Sequence, residues 1–143
     1  MKKKENSASS ASSKNAPISQ GVGRRKSAVA RVWVRRGTGI LKVNGKPHSE
    51  YFDTSVSRDK AVQPFAVCKE SAGLDVDSNV CGGGKNAQAD ATALGFSRAL
   101  IALYDTVKPV LKEHGLTTVD SRVVERKKYG QRGARRKFQF VKR

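Results

Sequence analysis

The C-terminal stretch, residues 120–143, holds the side chains whose types and spacing point most directly to a chemical task. Acidic residues are rare in it, and Tyr129, Phe138 and Phe140 stand among many cations. Arginine and lysine bind phosphates, while aromatic rings and guanidinium planes stack on unpaired bases. The segment therefore predicts a basic RNA-binding tail, against the alternative of a solvated charge run without a specific partner.

A second group of cations lies near the start of the predicted ordered region. Arg24, Arg25 and Lys26 enter a strand that continues to Arg31, and no acidic residue occurs between positions 24 and 42. A contiguous basic surface is the natural interpretation, and such a surface binds a phosphate backbone. The alternative is an edge strand whose charges prevent pairing with other chains.

The residue groups that catalysis, a cofactor or a metal would need are not evident in the sequence. The run at residues 82–85 lacks the earlier glycine and the following serine or threonine of a phosphate loop. Cys68 and Cys81 do not have zinc-site spacing, and both are expected to be buried or half-buried. His48 and His114 have no evident nucleophile partner. The sequence thus predicts a non-enzyme without cofactor or metal, and this spacing opposes the alternative of an enzyme that uses the glycine run.

The composition indicates a polyanionic partner. The chain has 143 residues, with 29 Lys and Arg against 12 Asp and Glu, and a formal net charge of +17. Such an excess makes the compact state repel itself, and nucleic acid relieves the repulsion because each neutralised phosphate releases counterions. An anionic membrane is the competing partner, but it requires a basic helix with a large apolar face. The most basic stretch has no such face, and no apolar run is long enough to span a bilayer.

The hydrophobic pattern predicts an α+β domain, with helices on one face of a mostly antiparallel sheet. Alternation predicts strands over Ala28–Arg36 and Leu74–Cys81, and Asn44-Gly45 predicts a two-residue hairpin turn. Asn86 is expected to cap a helix that runs to about Tyr104. The other predicted elements are strands over residues 40–43, 65–69 and 117–124, a helix over 56–63 ended by Pro64, and a helix over 106–114.

Three segments follow from these elements. Residues 1–20 are rich in Ser, Ala and Asn, and they contain too little apolar surface to offset their ordering entropy. They are predicted to form a flexible N-terminal arm. Residues 21–124 are predicted to form a globular RNA-binding domain, and residues 125–143 an extended basic tail that becomes ordered only on RNA. The absence of a disulfide framework indicates a reducing compartment.

Several separate motifs follow one another along the ordered part of the chain. They are Gly-Arg-Arg-Lys-Ser-Ala-Val-Ala-Arg-Val (23–32), Val-Asn-Gly-Lys (43–46), Tyr-Phe (51–52), Gly-Gly-Gly (82–84), Gln-Ala (88–89), Arg-Ala-Leu (98–100), Asp-Ser-Arg-Val-Val-Glu-Arg-Lys-Lys (120–128) and the terminal Lys-Arg. In this order they make the chain resemble small-subunit ribosomal protein nine of the bacterial type. A free-standing RNA or DNA binder, such as a chaperone, would explain the charge equally well but not the ordered motifs.

The resemblance implies a fold like the second domain of ribosomal protein five and a place in the head of the small ribosomal subunit, beside other head proteins. It implies binding to the 3′ major domain of the small-subunit ribosomal RNA, and contact of Lys142 and Arg143 with peptidyl-site tRNA. A bacterial cytoplasm is the expected location, and an organellar ribosome is also compatible. The residues implied to bind ribosomal RNA are Arg24, Arg25, Lys26, Arg31, Arg126, Lys127, Lys128, Arg132, Arg135, Arg136 and Lys137.

The chain also departs from the usual pattern of that family at a few positions. Asp90 stands where glycine is common, and Ala93 stands where arginine is common. Tyr129 replaces a frequent proline, and Val141 replaces the serine of the usual ending. The net charge of the tail is unaffected by these changes.

Overall fold

A computed structural model describes residues 16–140. The sheet has five strands in the order β1-β2-β5-β3-β4, and only β3 and β5 run parallel. The predicted α+β class with a mostly antiparallel sheet is confirmed. The strands are β1 (Ser19–Arg25), β2 (Ala28–Arg36), β3 (Leu41–Val43), β4 (Lys46–Pro47) and β5 (Leu74–Cys81), and the helices are α1 (His48–Tyr51), α2 (Ser55–Val67), α3 (Lys85–Leu103) and α4 (Lys108–Glu113).

The alternation of β2 and β5 makes one face of the sheet apolar. Ala30 and Val34 of β2 are 0% exposed, and Val76 of β5 is 1% exposed. Both strands begin and end at the predicted residues. Asn44 and Gly45 form the predicted hairpin turn between β3 and β4, and both have the positive φ angles that this kind of turn requires. These local patterns therefore specified the centre of the sheet.

Helix α3 lies between the sheet and α2, so almost its whole circumference is buried. The small residues of its first turns allow this close packing. The predicted cap is wrong, because the helix begins at Lys85 with Gly84 at the N-cap position. Asn86 lies inside the first turn, where its side-chain oxygen accepts a hydrogen bond from the hydroxyl of Ser57 on α2. Asn86 thus joins two helices instead of starting one.

Strand β1 was not recognised as a separate strand in the sequence. It pairs with β2 from Ser19 to Arg25, so Ser19 and Gln20 belong to the sheet and not to the predicted flexible arm. Residues 1–15 of that arm lie outside the described residues. A Cβ atom on Gly23 would stand 1.8 Å from the carbonyl oxygen of Ala91 on α3, and one on Gly21 would stand 2.1 Å from that of Gly95. Backbone therefore packs on backbone at this position, which explains why β1 shows no apolar alternation.

The strands predicted over residues 65–69 and 117–124 are absent from the described structure. Helix α2 continues through Pro64 to Val67, and residues 65–69 do not form a strand. Pro64 is buried, and Phe65 packs on Phe96 of α3 with 4.5 Å between the ring centroids. These contacts offset the cost of proline inside a helix, which is about 3 kcal/mol. Residues 117–124 form no strand, because no neighbouring strand pairs with them.

The loop before β3 is held by one carboxylate. Asp75 on β5 accepts hydrogen bonds from the backbone N–H groups of Thr38, Gly39 and Ile40 at 2.8, 3.0 and 3.0 Å. These bonds, that from Ile40 most strongly, lower the pKa of the Asp75 carboxyl. The loop therefore depends on the charge of this side chain.

The change Asp75→Asn is expected to lower the free energy of unfolding by about 1 kcal/mol, because charge-assisted bonds to three donors become neutral ones. Since the folded state has the lower pKa, the stabilisation by Asp75 is present above the unfolded-state value of about 3.9 and is lost as the pH falls through the folded pKa. Urea unfolding at pH 7 and below pH 4 measures both effects. Asp59→Asn is the matched control, because Asp59 is exposed on α2, and an equal loss in the control would contradict the assignment.

Candidate nucleic-acid interface

The start of the C-terminal segment is fixed to the domain by Arg25. We call residues 117–122 the tail root, because Leu116 is the last buried residue of the described chain. The guanidinium group of Arg25 lies 2.8 Å from a carboxylate oxygen of Asp120, and it donates a hydrogen bond of 2.6 Å to the carbonyl oxygen of Arg122. The side chain of Arg25 is 13% exposed. The guanidinium group of Arg25 therefore holds the tail root against β1.

Asp90 on α3 supports the same contact from the other side. Its carboxylate lies 3.7 Å from Arg25 and 3.1 Å from the ammonium group of Lys60 on α2. The acidic residue that departs from the usual family pattern is thus paired with two cations. Next to it lies a hollow of about 320 Å³ between the helices and the tail root, and Arg24 and Arg122 contribute to its lining.

The charge state of Asp120 is set by the same group of residues. Hydrogen bonds from Arg122, first from its side chain and then from its backbone N–H, hold the pKa of the Asp120 carboxyl far below its usual range, and Arg25 adds to the effect. Asp120 is therefore ionised throughout the neutral range. It binds one arginine of the domain and one of the tail, which fixes the direction in which the tail leaves the domain.

We expect Asp120→Asn to loosen the tail root although it makes the chain more positive. The ion pair with Arg25 is removed, so the backbone amides of residues 121–123 should show faster internal motion in NMR relaxation. Glu113→Gln is the matched control, since Glu113 is exposed on α4 and its removal changes the net charge equally.

The RNA affinity of the two variants separates the effect of charge from that of the tail root. If charge alone matters, both variants gain RNA affinity equally. If Arg25 holds the root, the Asp120 variant gains less or loses affinity. Unchanged dynamics in both variants would contradict this role of Asp120.

Residues 131–137 of the predicted extended tail fold back on themselves. Gln131 and Lys137 form an antiparallel bridge, and the N–H of Arg132 donates a 2.8 Å hydrogen bond to the carbonyl oxygen of Arg136. We call residues 131–137 the tail hairpin. Its turn places several cations close together on a short loop, away from the domain core.

Glu125 organises the tail hairpin. Its carboxylate pairs with Lys128 and, at 2.8 Å, with Arg135, while Lys128 also donates a 3.1 Å hydrogen bond to the carbonyl oxygen of Ala134. The bonds from Lys128 and Arg135 lower the pKa of the Glu125 carboxyl. The one acidic residue after Asp120 therefore links Lys128, which precedes the tail hairpin, to Arg135 within it.

The aromatic residues of the tail face solvent. Tyr129 and Phe140 are 95% and 90% exposed. Phe138 is partly covered by Arg132, whose guanidinium carbon lies 5.3 Å from the centre of its ring. Exposed rings next to arginines are the arrangement that stacking on unpaired bases requires.

The predicted RNA contacts fall into three groups. Arg24, Lys26 and Arg31 are exposed on the domain, whereas Arg25 is already bound to its protein partners. Lys142 and Arg143 lie outside the described residues. The tail residues are exposed except for Lys128, which is half-buried; they are Arg126, Lys127, Lys128, Arg132, Arg135, Arg136 and Lys137. Each of these RNA contacts stays a prediction.

Sequence reasoning missed the organising roles of Arg25, Asp120 and Glu125. All three were noticed only as charges, and their partners lie up to 97 residues away in the chain. The local pairs of Asp120 with Arg122 and of Glu125 with Lys128 were the available signals, since opposite charges two or three residues apart can bridge a turn. The contact with β1 had no local signal.

The glycine run serves the fold. Cβ atoms on Gly82 and Gly83 would collide with the turn between β1 and β2, at 2.4 Å from the carbonyl oxygen of Ser27 and 2.9 Å from the Cβ of Ala28. Lys85 donates a hydrogen bond to the carbonyl oxygen of Tyr51 at the end of α1. The run thus lets α3 start close to the sheet.

Residues 16–140 also contain both cysteines of the chain. Cys68 is buried, and burial raises the pKa of its thiol, whereas Cys81 is exposed and not half-buried as predicted. Within this part of the chain, no group of three or more His, Cys, Asp or Glu side chains could hold a metal ion. None of its helices is both long and apolar enough to cross a membrane.

The fold and the interface define a small α+β domain with a long cationic C-terminal segment that the domain itself orients. The sequence model of one family, described as ribosomal protein S9/S16, matches residues 23–143. The chain belongs to the ribosomal protein S9 family, whose members are structural proteins and not enzymes. The prediction of a non-catalytic protein is thereby confirmed.

Individual relatives agree with the family assignment. The chain is 47% identical over 122 residues to the small ribosomal subunit protein uS9 of Chlorobium limicola, which covers 85% of this chain and 95% of the relative. It is 49% identical over 122 residues to the protein of the same name from an Anaeromyxobacter species, with 85% and 94% covered. The uS9 protein of Christiangramia forsetii is also 49% identical, with 85% and 95% covered. The family resemblance inferred from the motifs is confirmed.

Proposed function

We propose that this chain is a structural constituent of the small ribosomal subunit and that it binds the ribosomal RNA of the subunit head. The observation that carries the proposal is the anchored tail: an ion pair between Arg25 and Asp120 orients a cationic segment with exposed aromatic rings. The family membership and the names of the relatives support the ribosomal setting. The likeness to the second domain of ribosomal protein five stays a prediction.

Two surfaces would contact ribosomal RNA. Arg24, Lys26 and Arg31 bind the phosphate backbone beside the sheet, and the cations of the tail hairpin bind it farther away. Such contacts fix the position and orientation of a protein on RNA and read little sequence. Arg25 contributes through the tail root, because its donors are already used within the protein.

The end of the tail is proposed to touch the tRNA in the peptidyl site. Lys142 and Arg143 are the two cations that would bind tRNA phosphates. Deletion of both should leave assembly intact and reduce the salt dependence of tRNA affinity by about one unit of slope for each phosphate that is no longer bound. Filter binding of tRNA to subunits that carry either chain measures the slope, and an unchanged slope and affinity would contradict the contact.

Sedimentation tests the proposal as a whole. A tagged full-length chain, expressed in a bacterium, is followed through sucrose gradients of lysate at low and at moderately high salt. Migration with the small subunit at both salts is the expected result. Release at high salt into light fractions, with mixed RNA attached, would instead favour a general nucleic-acid binder. We expect a bacterial-type ribosome, beside other head proteins, as the setting of the chain.

A further inference from the structure

The helices cover only one face of the sheet, and the opposite face carries a distinct set of side chains. Strand alternation places Val22, Val29, Arg31, Trp33 and Asn79 on this face, which we call the open face. Val22 is 43% exposed, Arg31 and Asn79 are exposed, and Val29 and Trp33 are half-buried. Within residues 16–140, the open face is therefore accessible over the width of three strands.

Trp33 stands at the centre of the open face. In the register of the sheet, its neighbours across the strands are Gln20 on β1 and Asp77 on β5. A shallow hollow of about 410 Å³ adjoins the indole ring, and Val22 and Arg31 also contribute to its lining. A flat aromatic group beside an arginine and next to an open hollow is suited to receive another flat ring.

The free charge of the open face is positive. The carboxylate of Asp77 is paired with Arg35 at 3.2 Å, and that of Asp75 accepts the three N–H groups of its loop. Lys42 lies beside Asp77 in the register, and its charge contributes to the lowered pKa of the Asp75 carboxyl. Arg31 has no ion pair among the described residues, so an approaching polyanion would meet its charge directly.

This charge decides between two kinds of partner. A docking face for a protein is expected to have a more apolar centre with several aromatic or large aliphatic residues. The open face offers one tryptophan and two valines among polar and charged groups. Single-stranded RNA fits better, because a lone aromatic platform with flanking cations suffices to stack one base and bind its phosphate.

We propose that the RNA-binding surface of the domain extends over the open face, on which Trp33 stacks against an unpaired base while Arg31 binds the adjoining phosphate. The proposal rests on the RNA binding proposed above and adds a site that stacks on an exposed base. The domain would then bind RNA both through phosphates and through stacking on a base held in a loop or bulge.

Trp33 reports on its own site, because it is the only tryptophan in the chain. Its fluorescence is measured in the full-length protein, with acrylamide as quencher, alone and with a saturating transcript of the 3′ major domain of small-subunit ribosomal RNA. Binding itself is followed separately by the anisotropy of labelled RNA. Stacking should quench the emission and lower the acrylamide quenching constant roughly twofold, since a base would cover one side of the ring.

Variants give a second, independent measurement. Trp33→Val should weaken RNA binding roughly tenfold, the decrease expected for one base–aromatic stack, while Trp33→Phe should largely restore the affinity. Tyr104→Val is the matched control, because Tyr104 is an exposed ring away from the open face and its removal should not change the affinity. Circular dichroism checks that each variant is folded.

The outcomes separate this proposal from the proposed function. RNA binding with unchanged acrylamide access to Trp33 would overturn the stacking site and leave the ribosomal role intact. Protection of Trp33 only after other head proteins are added would also overturn it, and would assign the open face to a protein partner. Absence of any RNA binding would contradict the proposed function itself.

Discussion

Replacement of Arg132, Arg136 and Lys137 by glutamine is expected to weaken the binding of the chain to ribosomal RNA on the order of a hundredfold, if each phosphate interaction is worth about 1 kcal/mol. All three side chains belong to the tail hairpin and are exposed. The slope of log affinity against log salt should fall by about two to three units, since up to three phosphates are no longer neutralised. Filter binding over a series of salt concentrations measures both quantities.

The control for this variant carries the same change in net charge on the domain. Lys46, Lys69 and Lys112 are exposed and lie outside the tail, so their replacement by glutamine tests the effect of charge alone. We expect a change in salt slope of less than about one unit for this control. Equal decreases in RNA affinity for the two triple variants would show that only the overall charge matters, and the tail hairpin would not be a binding site.

The change Gly23→Ala is expected to destabilise the whole domain by about 3 kcal/mol or more, a large part of the usual stability of a small protein. The new Cβ would lie 1.8 Å from the carbonyl oxygen of Ala91 and 2.6 Å from the backbone nitrogen of Gly95. Both atoms belong to α3, so neither can move without shifting the helix away from the sheet. Urea unfolding followed by circular dichroism measures the decrease in stability.

Gly73→Ala provides the comparison for that prediction. No atom lies within 4 Å of a Cβ on Gly73, and Gly73 is exposed. The substitution should therefore change the free energy of unfolding by less than about 1 kcal/mol, in either direction. Equal stability of the two alanine variants would contradict the close packing of β1 on α3. It would also contradict the position of Arg25 at the end of β1.

The parts of the fold that follow from local pattern were predictable from the sequence. Strands β2 and β5 alternate apolar and polar residues, and Asn44 with Gly45 forms the expected turn. Strand β1 was missed because its inward positions are glycines, which pack against a helix that lies about seventy residues later in the chain. No local rule indicates such a contact.

The site was predictable in composition but not in organisation. The cations and rings of the tail were evident, whereas the bridge from Gln131 to Lys137 and the ion pairs of Glu125 with Lys128 and Arg135 were not. Arg25 looked like one more phosphate contact, because its partner Asp120 lies 95 residues away. Charged residues near each other in sequence indicate a surface, but their partners in space decide whether they bind a ligand or hold the protein together.

Site-specific photo-crosslinking tests the central claim, that the oriented tail lies on small-subunit ribosomal RNA. A photoreactive phenylalanine is placed at Tyr129, or at Phe140, and the chain is incorporated into small subunits in the cell. The two positions are 95% and 90% exposed, so the replacement leaves the fold unchanged. A probe at Val56 on α2, which is 58% exposed, controls for random contacts. Cross-links from both tail positions to ribosomal RNA are expected, and tail cross-links to protein alone would contradict the account.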